Sequence, residues 1–191
     1  MTFLKNNSKL IIKALLYQIV FSLFGNMMAL GTLGTPSLFV VGSVIIIGLY
    51  MYMVFTMYNE AGLKMAVSKN KSNALVTAAL TALIPAVPSL IMGAASCTGD
   101  LYYIDGSYTT QYALLQLQRL LFTGEYVGIF QSVFPPEVTK NAVGEIIESI
   151  TNPSQPLAFF LAVLPQIIVS FTGMLLGLKE ILLFKNQNKE K

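Results

Sequence analysis

Side chains that could perform chemistry are few in this chain of 191 residues, and histidine is absent. Without histidine there is no Ser-His-Asp triad, no Cys-His dyad, no His-x-x-x-His zinc pair and no histidine proton shuttle. Cys97 is the single cysteine, which excludes an intramolecular disulfide, a Cys-based zinc site and an iron–sulfur cluster within one chain. Neither a phosphate loop nor a Gly-x-Gly-x-x-Gly fingerprint occurs. We therefore predict a protein that is not an enzyme and has no cofactor.

Two pairs of carboxylates are the remaining candidates for a charged site. Glu145 and Glu148 are three residues apart, a spacing typical of the solvated face of a helix. Asp100 and Asp105 flank a tyrosine-rich turn, but two isolated acids supply fewer than the roughly 6 to 8 oxygens that calcium binds. The sequence therefore predicts no metal site.

Four apolar stretches without a charged side chain dominate the chain, at about residues 14–34, 37–59, 73–96 and 156–178. Each is long enough for a helix to cross a hydrocarbon core of about 30 Å. We therefore predict an all-α fold, an integral membrane bundle of four transmembrane helices that contacts the lipid bilayer. Residues 1–191 are predicted to form a single membrane domain, with residues 97–155 as one long segment outside the bundle.

Charge is distributed unevenly between the two sides of such a bundle. Ten of the twelve Lys and Arg residues lie in the two tails and the connection between spans two and three, and only Arg119 and Lys140 lie in segment 97–155. The positive-inside bias then predicts cytoplasmic N and C termini in the cell membrane. Short lysine clusters beside spans are typical of contacts with anionic lipid, so we predict no nucleic-acid partner.

The long segment has two parts. Residues 112–134 are rich in Leu and Phe but include Arg119 and Glu125, which favours an interfacial or bundle-capping helix. A fifth span is the alternative, and it would place these two charges in lipid or in a pair. After Pro135-Pro136, one half of a helical wheel is apolar, which predicts an amphipathic helix. Its apolar residues are Val138, Ala142, Val143, Ile146, Ile147 and Ile150.

Small residues mark two faces for helix packing. Span three has Ala74, Ala78 and Ala82 at four-residue spacing, and span four has Gly173-x-x-x-Gly177. Both patterns allow close approach of another helix, either within the chain or from a second copy in a homo-oligomer. The Tyr58 ring, at the end of span two, is predicted to anchor at the membrane interface.

Uncharged polar or helix-breaking residues occur at similar depth in all four spans: Asn26, Gly48, Pro85 and Gln166, with Pro165 adjacent. Transporters place substrate sites at helix interruptions near the midplane, so Asn26, Pro85 and Gln166 are a candidate midplane polar cluster. The alternative is that the two amides form hydrogen bonds between helices.

Several short stretches resemble small bacterial multi-pass membrane proteins that carry no assigned activity. They are Tyr58-Asn59-Glu60-Ala61-Gly62 at the end of span two, and Pro156, Leu164-Pro165 and Gly177-Leu178-Lys179 in span four. The resemblance implies a multi-pass fold and no function. Our leading hypothesis is a non-enzymatic accessory or structural subunit of a membrane assembly, with a membrane-protein partner. The alternative is a small solute carrier or pore that acts as a homo-oligomer.

Overall fold

The computed structural model describes residues 2–31, 35–67, 74–99, 101–104, 107–135, 137–140, 146–150, 152 and 154–179. In these residues the chain forms α1 (Thr2–Gly31), α2 (Pro36–Val67), α3 (Ala74–Ser96), β1 (Tyr102–Ile104), β2 (Ser107–Tyr108), α4 (Thr110–Leu121), a 3₁₀ turn (Gly124–Tyr126), α5 (Val127–Val133), β3 (Glu137–Lys140), β4 (Ile146–Ile150), α6 (Ser154–Leu161) and α7 (Val163–Leu178).

The predicted fold class and the four spans are confirmed. Four helical stretches are long and apolar enough to cross a membrane: Asn7–Ala29, Ser37–Val67, Leu75–Ser96 and Ser154–Leu178. The last is divided between α6 and α7, because Pro165 has no N–H to donate to the Leu161 carbonyl. The chain is a multi-pass membrane protein, and its many exposed leucine, isoleucine and valine side chains suit contact with the lipid bilayer.

Segment 97–155 is more varied than its sequence predicted. Residues 112–134 do not form a fifth span, because α4 has twelve residues and α5 seven, and neither reaches across a hydrocarbon core of about 30 Å. Four short strands form an antiparallel sheet in the order β2-β1-β4-β3, with Tyr103 opposite both Tyr108 and Ser149.

The amphipathic helix predicted after Pro135-Pro136 was wrong, because β3 and β4 pair as antiparallel strands there. Val138 lies opposite Ser149 in this pair. The physical reason is the density of β-branched residues, which lose χ1 freedom in a helix and pack well on a strand. Val138, Ile146, Ile147 and Ile150 of the predicted apolar face lie in the strands, whereas Ala142 and Val143 lie outside the described residues.

Two compact units make up the chain. One combines residues 1–15, 50–86 and 165–191, and the other combines residues 16–49 and 87–164. We refer to them as the first and the second unit. The prediction of a single membrane domain stays a prediction.

The first unit is held by contacts at a proline and at glycines. Pro85 cannot donate to the Thr81 carbonyl, and the Tyr58 hydroxyl donates to that carbonyl instead at 2.7 Å. Tyr58 is fully buried, so the prediction that it anchors at the membrane interface was wrong. In the same unit Gly177 packs against the Asn59 backbone, and the Asn59 side chain donates to the Gly173 carbonyl at 3.3 Å.

Candidate functional site: a broken helical segment in the second unit

The second unit contains a helical segment that is interrupted in its middle, formed by α4, the 3₁₀ turn and α5. We call residues 110–133 the interrupted segment. Thr109 caps the start of α4 by accepting a hydrogen bond from the Tyr112 N–H at 3.2 Å. Near the end of α4 the Gln118 carbonyl accepts three hydrogen bonds, from the Phe122 N–H, the Thr123 N–H and the Thr123 hydroxyl. The backbone then leaves the helical path, which exposes further carbonyls that need donors.

Three polar side chains of α1 provide those donors. Gln18, Ser22 and Asn26 follow one another at four-residue spacing and therefore lie on one face of the helix. The Gln18 amide donates to the Phe122 carbonyl at 3.3 Å, and the Asn26 amide donates to the Arg119 carbonyl at 3.0 Å. The hydroxyl of Ser22 is 3.0 Å from the carbonyl oxygens of both Arg119 and Leu120. Side chains on this face of α1 thus supply hydrogen-bond donors to the backbone carbonyls at and just after the C-terminal end of α4.

Backbone N–H groups beyond the break are satisfied in the same way. The Gly124 N–H donates to the Ser22 hydroxyl at 2.6 Å, and the Gly128 N–H donates to the Ser43 hydroxyl of α2 at 3.1 Å. Glycine is required at Gly124, because a Cβ there would overlap the Ser22 carbonyl oxygen and the Asn26 amide nitrogen. A Cβ at Gly25 of α1 would overlap the Gly124 carbonyl group. Backbone therefore packs directly on backbone where the segment meets α1.

The break lies beside the middle of a membrane span. Gln18, whose amide reaches the Phe122 carbonyl, is eleven residues from Asn7 and eleven from Ala29, the ends of the first candidate span. Non-helical backbone is tolerated at such depth only where protein groups or water form hydrogen bonds with its N–H and C=O groups. The α1 side chains meet this condition for the carbonyls of Arg119, Leu120 and Phe122.

Several buried polar atoms of the same segment have no hydrogen-bond partner among the described residues. The Glu125 side chain is 1 % exposed, and its Oε2 has no hydrogen-bond partner among the described residues. In the described part of the chain the same holds for Gln118 Oε1, Arg119 Nε and the Tyr126 hydroxyl. Unpaired buried polar atoms are rare in proteins, and each needs an explanation. Four of them within nine residues mark this turn as the candidate site.

Burial also changes the protonation of the groups in the turn. Glu125 lies outside the four candidate spans, and its burial away from water raises the pKa of its carboxyl group to about 8. Burial raises the pKa of the Tyr126 hydroxyl as well, with a further contribution from the neighbouring Glu125. The pKa of the Arg119 guanidinium is lowered by burial. Burial thus opposes the charged form of each group, as expected in a region of low dielectric constant, while the Arg119 guanidinium stays protonated.

Aromatic rings connect these groups. The Arg119 guanidinium lies 5.7 Å from the centroid of the Phe159 ring of α6, a distance typical of a cation–π contact. Phe130 meets Phe159 edge to face at 4.8 Å and stacks on Tyr126 at 5.7 Å. The Gln118 amide donates to the Phe159 carbonyl at 3.1 Å. The side chains around the break thus form one continuous cluster with α6.

The structure distributes the residues predicted from the sequence between the two units. Asn26 is part of the second unit and contacts the interrupted segment, whereas Pro85 and Gln166 lie buried in the first. The candidate midplane polar cluster therefore stays a prediction. A Cβ added at Gly48 would meet no atom within 4 Å among the described residues.

The residues predicted for helix packing lie mostly in the interior. Ala78 and Ala82 are buried in α3, Ala74 begins that helix, and nothing is described of its side chain. Gly173 and Gly177 pack against α2 of the same chain, on Phe55 and Asn59 respectively. These contacts agree with packing within the chain, and the homo-oligomer stays a prediction.

Sequence reasoning missed Gln18, Ser22 and Glu125 as site residues. A signal was present for the first two, because polar residues at i, i+4 and i+8 in an apolar span predict a buried polar face. For Glu125 the only signal was a charge in an otherwise apolar stretch.

In addition, α1 and α2 enclose an apolar groove of about 340 Å³, lined by Phe21, Phe24, Met28, Gly42, Ile45, Ile46 and Leu49. The groove offers no polar group for chemistry.

The part of the chain that the structure describes holds no group of three or more His, Cys, Asp or Glu side chains suited to a metal ion. Comparison of the chain with protein-family models, curated proteins and solved structures finds no match.

Proposed function

We propose that this chain is a small, non-enzymatic solute carrier of the cell membrane, in which the interrupted segment binds the solute. The observation that carries the proposal is the helix break beside the middle of the first candidate span, where buried polar atoms have no hydrogen-bond partner among the described residues. Transporters use interrupted helices for this purpose, because the free backbone and side-chain groups at the break can bind a substrate.

The energetic argument concerns the unpaired atoms. Leaving a buried donor or acceptor unsatisfied costs about 1–3 kcal/mol, and a purely structural turn gains nothing in return. A phenylalanine in place of Tyr126 would avoid that cost, whereas Gln118 also donates a hydrogen bond to the Phe159 carbonyl. The Tyr126 hydroxyl, without a partner among the described residues and next to the buried Glu125 carboxyl group, supports a role in binding a small polar solute.

A second function is favoured by the sheet. Strands β2 and β3 are its edges, and each pairs on one side only among the described residues. Edge strands are templates for pairing with another chain. An accessory subunit that binds a membrane-protein partner through this sheet is therefore the alternative. In both proposals the termini are cytoplasmic and the sheet lies outside the cell, as the lysine distribution predicts.

Reconstitution into liposomes tests the carrier. We would measure osmotic swelling with glycerol and with amino acids, and cation flux with a trapped pH-sensitive dye, against protein-free liposomes. Tyr126→Phe removes the unpaired hydroxyl and keeps the ring, and Tyr102→Phe, at an exposed sheet position, is the matched control.

We expect flux from the wild type and from Tyr102→Phe, and a loss of up to about tenfold in Tyr126→Phe, the value of one hydrogen bond. Equal flux in wild-type and protein-free liposomes, together with a stoichiometric partner after purification in mild detergent, would refute the carrier and support the accessory subunit.

A further inference from the structure

Glu125 is the one carboxylate among the helices of the second unit. By sequence, α1 from Leu16 onward, α2 up to Leu49, α3 from Val87 onward and α6 contribute no carboxylate and no amine. Their single titratable side chain is that of Tyr17. The interrupted segment itself adds Tyr112, Arg119 and Tyr126. Few groups are therefore available to balance a negative charge on Glu125.

The one cation of the segment is engaged elsewhere. Arg119 donates from Nη1 to the Gln116 side chain at 3.1 Å and lies over the Phe159 ring. Glu125 itself packs against α1, where a Cβ on Gly25 would lie 2.5 Å from the Glu125 Cα. A charged carboxylate in this position would lose its hydration without gaining a salt bridge among the described residues.

We propose that Glu125 is a proton-binding site, and that loss of its proton releases the turn at residues 122–126 from α1. The ligand is a proton because a neutral carboxyl group tolerates burial without a counter-ion, whereas a carboxylate does not. Two hydrogen bonds hold this turn to α1, from the Gln18 amide to the Phe122 carbonyl and from the Gly124 N–H to the Ser22 hydroxyl. They hold it only while Glu125 is neutral. This inference deepens the proposed carrier, since proton release would then open the site to solute.

The sign of the pH dependence follows from the pKa of Glu125 in two states of the turn, seated against α1 and released from it. In the released turn Glu125 meets water and ionises near its ordinary pKa of 4.5, whereas in the seated turn it keeps its proton to about pH 8. Below pH 4.5 both states are protonated and the seated turn has its full stability. Between the two values each pH unit favours release about tenfold, and above about pH 8 the equilibrium is constant again.

Hydrogen–deuterium exchange of the full chain in nanodiscs tests the inference. From about pH 5 to about pH 7 we expect the opening of residues 118–128 to increase about a hundredfold after correction for intrinsic exchange rates. Glu125→Gln keeps the shape of the side chain without the charge and is expected to remove this dependence. Glu137→Gln changes an exposed carboxylate of β3 and is expected to behave as the wild type.

Constant wild-type protection over this pH range would overturn the inference, whether or not Glu125→Gln folds. A pH dependence that Glu125→Gln retains would overturn it as well. Because exchange requires no solute, absent flux combined with a Glu125-dependent pH response would refute the carrier alone.

Discussion

Replacing Gly25 with alanine tests whether the interrupted segment is seated on α1. The added Cβ would overlap the Gly124 carbonyl group and lie 2.5 Å from the Glu125 Cα, whereas ordinary contact begins at 3.4 Å. Since these neighbours are backbone atoms, no side chain can rotate away, and α1 or the turn must shift by about 1 Å. Such a shift would lengthen the 2.6 Å hydrogen bond between Gly124 and Ser22 to the limit of an effective contact.

Two costs and one gain determine the expected change in the free energy of unfolding. Overpacking costs about 1–3 kcal/mol, and weakening one hydrogen bond costs about 0.5–1.5 kcal/mol. Alanine in place of glycine returns about 0.5–1 kcal/mol through helix propensity. We therefore expect Gly25→Ala to destabilise the protein by about 2 kcal/mol.

Gly48→Ala is the matched control, because it makes the same change in an apolar helix of the same unit, where no atom lies within 4 Å. Thermal unfolding of both variants in one detergent measures the difference, and hydrogen–deuterium exchange shows whether residues 118–128 lose protection. We expect the unfolding midpoint to fall for Gly25→Ala and to stay constant or rise for Gly48→Ala. Equal midpoints for the two variants would show that the turn does not pack on Gly25.

Three further predictions concern single positions. Ser22→Ala leaves the Gly124 N–H without its acceptor, and we expect a loss of about 1–3 kcal/mol in thermal unfolding; an unchanged midpoint would contradict the hydrogen bond. Gly177→Ala places a Cβ on the Asn59 carbonyl, so we expect lower stability at constant oligomeric mass in light scattering; a change of mass at constant stability would instead place this face between copies. Cys97 is exposed, and a membrane-impermeant maleimide is expected to label it in intact cells. Labelling should accelerate as pH rises because the thiolate is the reactive form, and partial burial, which raises the pKa of the thiol, moves this acceleration to higher pH. Labelling only after membrane disruption would refute the proposed topology.

The sequence allowed the bundle to be predicted but only part of the candidate site. The four spans depend on length and apolar composition, which are local properties. The missing donor at Pro85 was also predictable, but the hydroxyl that replaces it, from Tyr58, belongs to another helix. Strands β3 and β4 were missed because helical and strand patterns overlap in short apolar runs, and pairing of β4 with β1 and β3 decided between them.

By itself the sequence determined that this is a multi-pass membrane protein. It also excluded histidine-dependent sites, an intramolecular disulfide and a phosphate loop, because these conclusions depend only on which residues are present. Only the tertiary structure decided that the Phe122 carbonyl meets Gln18 and that Glu125 is buried beside Gly25. The energy of a carboxyl group depends on the water, dipoles and charges around it. Those surroundings come from α1, a helix about one hundred residues earlier in the chain, so no local pattern around Glu125 could reveal them.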